Sequence, residues 1–358
     1  MKVYFVPPAL PCNAYITNMV AGLEKNGVEI VNKRATNRYA ELLYSFPAMF
    51  KRTRVYHFNW IENRSAANTF KNRIFCRLIL YWLRLIKMTG GKIAWTMHNR
   101  ESHSFQGDKA FHHAFLRKFI SITDMIFIHA KESKDILVER YQYPEEKICY
   151  IPLPSYNSDA HRELPAIHEH GNFVILAFGL IRKYKNIPLL IRAFKELGLP
   201  NSALEIYGIC DGPELLRSIE EGIGGCSNIK FKNEFVPEEE VPGIFAGCDV
   251  VVLPYDKQSM INSAVAVYAF SEAKPIVVCR FGAIKDIEDR SFVHCYDYSN
   301  DEEALRGLKE QLTLVYNEWK QDRQALRREG EEAFKYAQSD ELSRDNITAK
   351  VVKFYAEH

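Results

Sequence analysis

The sequence predicts an α/β protein made of two Rossmann-like domains, each a doubly wound parallel sheet, facing one another across a cleft. Three observations carry the prediction. Short apolar runs alternate with helix-length amphipathic stretches almost from end to end. The alternation breaks once, at 152–172, where three prolines and three histidines sit among few long apolar residues. A chain of 358 residues also exceeds what one hydrophobic core usually serves.

In the first half, the expected strands are 3–6, 28–31, 55–59, 92–97, 125–128 and 148–151, apolar runs too short for helices. Helical periods separate most of them, at 13–26, 68–88, 109–121 and 131–141. The second half repeats the scheme with strands at 173–178, 204–207, 229–231, 250–253 and 275–278. Its helices fall at 187–197, 213–222, 238–246 and 263–272, followed by two charged helices over 301–336 and one more over 337–358. A first domain over 1–160 and a second over 161–336 follow, with 152–172 as the linker. Doubly wound sheets bind ligands outside the carboxyl ends of their strands, so chemistry-bearing residues should follow strands directly.

Hydrophobic residues make up 47% and charged residues 26%, which excludes a disordered chain, a collagen and a disulfide scaffold. The net charge of +2 hides an asymmetry: residues 1–165 carry 24 Lys+Arg against 14 Asp+Glu, and the remainder 23 against 31. A basic half suggests an anionic partner. The basic residues are dispersed and no recognition module appears, so nucleic acid is not expected. Eight cysteines, at 12, 76, 149, 210, 226, 248, 279 and 295, show no CxxC spacing, and Met1 leads directly into a strand pattern. Reduced thiols in a cytoplasmic protein are the expectation. No run of 18 apolar residues occurs, so none spans a bilayer.

Two motifs suit an anion. Residues 178–186, FGLIRKYKN, close a strand and open a helix; Gly179 permits a tight turn, and Arg182 and Lys185 bring cations to a helix N-terminus. That arrangement fits a diphosphate, although the residues alone also describe a solvated basic turn. Residues 253–264, LPYDKQSMINSA, precede an apolar helix; Asn262 or Ser263 is a good N-cap, and Lys257 adds charge. Plain helix capping explains this second motif equally well.

The blocks FGLIRKYKNIPLLIRAF, EIYGICDGPEL and VVLPYDK…SAVAVYAFSEAKPIVV resemble, in order and spacing, the donor domain of GT-B glycosyltransferases, most closely the family-4-like group. In the first half PCNAY (11–15), HFNWIEN (57–63) and WTMHNRESH (95–103) look like blocks of bacterial exopolysaccharide transferases, among them xanthan-type GDP-mannose β-mannosyltransferases. The resemblance covers about residues 1–290. It implies a nucleotide-diphosphate sugar donor, with Arg182 and Lys185 neutralising the diphosphate. Ser263 stands where the family has a glycine whose amide meets the phosphates, and Phe235 and Val236 flank the base. His98 faces the reacting sugar, and Asn13 and Tyr15 lie on the acceptor side. The resemblance also implies that 337–358 crosses back to the first domain. The family's E-x7-E pair falls at Met260 and Tyr268, a histidine of the family at Leu153, and an arginine at Leu180.

Sugar transfer needs the leaving diphosphate stabilised, which GT-B enzymes do with cations and helix amides. No metal or other cofactor is therefore expected, and no DxD motif is found. Loss of the glutamate pair favours an inverting reaction, which needs a base for the acceptor hydroxyl. Glu62 and Glu101, each after a strand, are the candidates, with Glu62 slightly ahead; solvated loop carboxylates are the plain alternative. On a helix over 73–88, Arg73, Arg77, Arg84 and Lys87 share a stripe of about 80°. Such a helix suits a membrane interface, or equally a core helix whose cations reach solvent. The leading expectation is a glycosyltransferase that extends a lipid-linked saccharide in capsule, exopolysaccharide or O-antigen assembly, cytoplasmic and at most peripheral at the inner membrane face. The alternatives are a nucleotide-sugar epimerase of the same fold and a non-catalytic sugar-nucleotide or glycan-binding protein.

Overall fold

The structure, a computed structural model, describes residues 1–9, 13–33, 54–67, 69–100, 107–155, 163–165 and 171–358. The chain forms two compact units, 1–156 with 340–358, and 157–339. Residues 156–162 and 166–170 of the expected linker lie outside the described residues. Among the described residues, no helix is long and apolar enough to cross a membrane.

In the first unit six strands form one parallel sheet: β1 (Lys2–Val6), β2 (Glu29–Ile30), β3 (Val55–Asn59), β4 (Lys92–Met97), β5 (Met125–Ile128) and β6 (Ile148–Tyr150), in the order β2-β1-β3-β4-β5-β6. Val3 pairs with Val55, Val55 with Lys92, and Ala94 with Met125. Covered on both faces, the inner strands need continuous apolar runs, and β3 and β5 are buried at every residue. Among the described residues, helices α1 (Ala14–Lys25), α2 (Phe70–Met88) and α3 (Lys109–Ile122) cover the sheet. Each starts on a side-chain cap, from Asn13, Thr69 and Asp108 respectively. The expected helix at 131–141 is present, as one α-helical turn, Glu132–Asp135, that widens into a π-helix over Ile136–Arg140.

The C-terminal helix (Arg344–Glu357) belongs to this unit and packs on α1. Gly22 makes that approach feasible, since a Cβ there would stand 2.7 Å from Thr348. Lys25 pairs with Asp345, and the Asn26 amide donates to Thr348 Oγ1 at 3.1 Å. Inside the core, the His57 ring meets Tyr355 through Nδ1 and Thr96 through Nε2. Burial lowers its pKa to about 3, so it joins helix to sheet as a neutral ring.

The second unit repeats the plan with β7 (Phe173–Phe178), β8 (Ser202–Tyr207), β9 (Ile229–Lys232), β10 (Val250–Leu253), β11 (Ile276–Cys279) and β12 (Val293–Tyr296), all parallel in the order β12-β11-β10-β7-β8-β9. Its helices are α4 (Ile187–Leu197), α5 (Pro213–Ile223), α6 (Val241–Ala246), α7 (Ala264–Ser271), α8 (Asp301–Gln321) and α9 (Ala325–Ala337). The sequence pattern misses β12, four residues at a sheet edge whose His294 and Cys295 break the apolar run. The expected helix at 238–246 begins only at Val241, with Pro242 in its first turn.

Candidate functional site

In both units the sequence-selected residues gather at the carboxyl ends of strands. In the second, β7 ends at Phe178 and turns on Gly179, which has φ +93. A Cβ at Gly179 would come 3.1 Å from the Lys185 ammonium, so the bare backbone makes room for that group. Lys185 is buried, donates to the Phe178 carbonyl at 3.0 Å and lies 5.7 Å from the Tyr255 ring centre. Burial, and then the Arg182 charge, lower its pKa to about 7. A cation held this far from water is poised for an anion that would restore its proton.

The structure brings the two anion motifs together. The Asp256 amide donates to the Tyr184 carbonyl at 2.7 Å, and the Tyr184 and Tyr255 rings meet edge to face at 5.9 Å. Ser263, rather than Asn262, is the cap of α7, accepting from the Ala266 amide at 3.2 Å. Arg182 lies 3.4 Å from Asp211. Lys257 departs from expectation: it pairs with Asp297 and lies over the Tyr298 ring, so its charge is already compensated. Phe235 is exposed and Val236 half-buried in the loop after β9; Leu180 and Ile209, after β7 and β8, are exposed as well. Met260 is buried and Tyr268 packs on Phe245, so neither position supplies a carboxylate.

Gly208, within the block EIYGICDGPEL, directly follows β8. Its φ is +144, and a Cβ there would fall 2.2 Å from the Gly179 carbonyl. Gly208→Ala is therefore expected to cost about 2–3 kcal/mol of stability and to displace the Gly179 turn. Chemical denaturation checks the cost; an unchanged midpoint would show that the turn yields freely.

At the strand ends of the first unit, Asn59 donates from Nδ2 to the Val6 carbonyl at 3.1 Å, turning its Oδ1 toward His98 Nε2 at 3.0 Å. His98 Nε2 must then carry the hydrogen, which leaves the ring lone pair on Nδ1. Burial, and then the neighbouring His129 and His57, lower the His98 pKa well below its usual value, so the ring is neutral. Trp60 stacks on it at 4.3 Å, and Tyr15 meets it edge-on at 4.9 Å. Trp60 holds φ +51, a strained setting for a bulky side chain. Asn13 caps α1 beside this cluster through its bond from the Ile16 amide.

His129, which is not among the candidates named from the sequence, joins the cluster. It stands 5.0 Å from His98 and 5.4 Å from Tyr15, donates from Nδ1 to the Ile151 carbonyl at 2.8 Å, and leaves Nε2 buried without a partner. Burial lowers its pKa to about 4. The signal was available: His129 directly follows β5 as His98 directly follows β4.

Glu62, the preferred base, is instead turned into the core. It lies on the 3₁₀ turn Ile61–Ser65 after β3 with 0% exposure, and burial raises its pKa to about 8. The Trp95 indole and Asn99 soften the effect without cancelling it. At neutral pH Glu62 is a protonated acid out of reach of solvent. Glu101, the other candidate, lies outside the described residues. Among the described residues, His294, Glu318 and Glu329 offer ligand atoms within 4.8 Å of one another, at edge strand β12 rather than at the strand ends described above.

Comparison with known proteins bears on the family and the fold. Residues 172–307 match the family Glycosyl transferases group 1. Over 276 residues the chain is 25% identical to the GDP-mannose:glycolipid 4-beta-D-mannosyltransferase of Xanthomonas campestris pv. campestris, spanning 74% of this chain and 73% of that protein. Anabaena HepE in complex with UDP has a TM-score of 0.68 at 13% identity, over 100% of this chain and 99% of that one. Sucrose-phosphate synthase from Thermosynechococcus elongatus has a TM-score of 0.64 at 13% identity, over 88% and 77%. The structural likenesses carry the fold, which is GT-B.

Proposed function

Because this chain is a glycosyltransferase of GT-B fold with a group 1 domain, we propose that it transfers a hexosyl group from a nucleoside diphosphate sugar to a glycolipid acceptor, with inversion and without a metal. The observation that carries the reading is the Lys185 ammonium, buried at the end of β7 beside Gly179 and facing the loop that leads to the Ser263-capped helix. A leaving diphosphate is stabilised there by Lys185, Arg182 and the first amides of α7. The acceptor oxygen bonds to the anomeric carbon as that carbon's bond to the β-phosphate oxygen breaks. The hydroxyl proton passes to a base of the first unit, for which His98 Nδ1 and Glu101 are the candidates. GDP-mannose leads among donors because the Xanthomonas relative is named for it, while HepE was solved with UDP. The product would feed capsule, exopolysaccharide or O-antigen assembly, as the blocks at 11–15, 57–63 and 95–103 suggest.

The test is a thermal-shift screen against UDP, GDP, CDP and their sugars without added metal, followed by transfer to a lipid-linked saccharide extract. A ligand confined to the folded state raises the melting point by mass action. One diphosphate stabilising the protein, and its sugar consumed only when the extract is present, is the expected result. Stabilisation by none of them would overturn the donor assignment.

A further inference from the structure

The outer face of α2 is apolar where a water-facing helix should be polar. Phe70, Ile74, Leu78, Tyr81, Leu85 and Met88 are all exposed, from 39% at Ile74 to 82% at Met88. Their spacing sets them within an arc of about 80° that runs about 27 Å along the helix. Among the described residues of the first unit they account for every exposed large hydrophobic side chain except Met1. The opposite face is already occupied: Cys76, Ile79, Leu80, Trp82, Leu83 and Ile86 are buried, with Trp82 against the rings of Tyr4, Tyr56 and Phe58. The helix is thus apolar on two sides, and packing among the described residues accounts for one of them.

Charge selects the occupant of the second side. The helix has no acidic residue and five basic ones. Arg73 is neutralised by Asp108 and Lys87 by Asp124, which removes two members of the basic stripe expected from the sequence. Arg77 and Arg84 remain exposed along one border of the apolar arc and Lys71 along the other, with no acidic partner among the described residues. Neighbouring α3 also lacks acidic residues and exposes Lys109, Arg117 and Lys118. A second copy docking by this face would oppose these cations to themselves, and so would a basic protein.

We propose that α2 docks on the surface of an anionic lipid bilayer. Its six apolar side chains enter the boundary between headgroups and acyl chains, while Lys71, Arg77 and Arg84 reach back to lipid phosphates. The aromatic rings of Phe70 and Tyr81 suit that boundary. The proposal does not rest on the donor assignment. It is read without nucleotide, so its failure and the failure of that assignment are distinguishable.

The experiment is flotation of the full chain with vesicles of phosphatidylcholine alone, or mixed with phosphatidylglycerol, at low and high salt. Wild type is expected to float with the anionic vesicles and to lose part of that binding in salt. Leu78→Gln with Leu85→Gln should weaken binding about tenfold or more with an unchanged melting temperature, since both side chains are exposed. Arg77→Gln with Arg84→Gln should remove about tenfold of the binding and most of its salt sensitivity. Absence of flotation at low salt, or the Leu pair binding like wild type, would overturn the proposal. So would a dimer that the Leu pair abolishes while no vesicle binds.

Discussion

Glu62→Gln is expected to make the protein more stable at pH 9 by on the order of 4–5 kcal/mol, while leaving it unchanged near pH 4. The Glu62 carboxyl is raised from 4.5 to about 8 by burial, which outweighs the opposing contributions of Trp95 and Asn99. Between those values the unfolded chain has released the proton and the native state still holds it. Native stability therefore falls as pH rises from 4.5 through 8, and glutamine, always neutral, removes that loss. Urea unfolding of both proteins across pH 5 to 9 measures the divergence. Parallel curves would mean that Glu62 reaches solvent in the native protein, which would restore it as a candidate base. Transfer assays give the second readout. A base lost to glutamine costs about 10²–10⁴ in rate, whereas a buried neutral acid replaced by its isostere should change turnover at pH 7 by only about severalfold.

The fold was legible because parallel sheets covered on both faces write their inner strands as largely apolar runs, as in β5 (MIFI), β10 (VVVL) and β11 (IVVC). The exceptions are informative. β2 shrinks to Glu29–Ile30, and β12 sits at an edge where His294 and Cys295 are tolerated. The anion motif at 178–186 was legible because a strand, a glycine, cations and a helix start are adjacent in sequence. Its partner loop was legible as a motif, but its charge was not: Asp297, which compensates Lys257, lies forty residues later. Burial was the other hidden quantity. The block HFNWIEN contains Asn59, Trp60 and Glu62 with nothing to say that Asn59 would orient His98, that Trp60 would stack on it, or that Glu62 would point inward. The same blindness applies to α2, where periodicity ordered the cations but not the face that the sheet leaves uncovered.

Lys185→Met should weaken nucleoside diphosphate binding on the order of a hundredfold and remove a proton from the binding reaction. The wild-type ammonium titrates near pH 7 in the unliganded protein because burial and Arg182 oppose its charge. An anionic diphosphate favours the charged form, so binding draws a proton onto Lys185 at any pH above about 7. Affinity is then highest below pH 7 and declines above it by up to about tenfold per unit, until the pKa of the liganded form is passed. Calorimetry in two buffers of different ionisation enthalpy at pH 8 should show proton uptake in wild type and its loss in Lys185→Met; the ligand's own titration is common to both. The unliganded protein gives the converse sign. Its unfolded lysine keeps a proton up to 10.5 while the native one releases it near 7, so wild-type stability rises with pH across that interval and the methionine variant's does not. Equal proton uptake by the two proteins, with equal affinity, would move the diphosphate away from the end of β7 and leave Lys185 as a structural cation bonded to the Phe178 carbonyl.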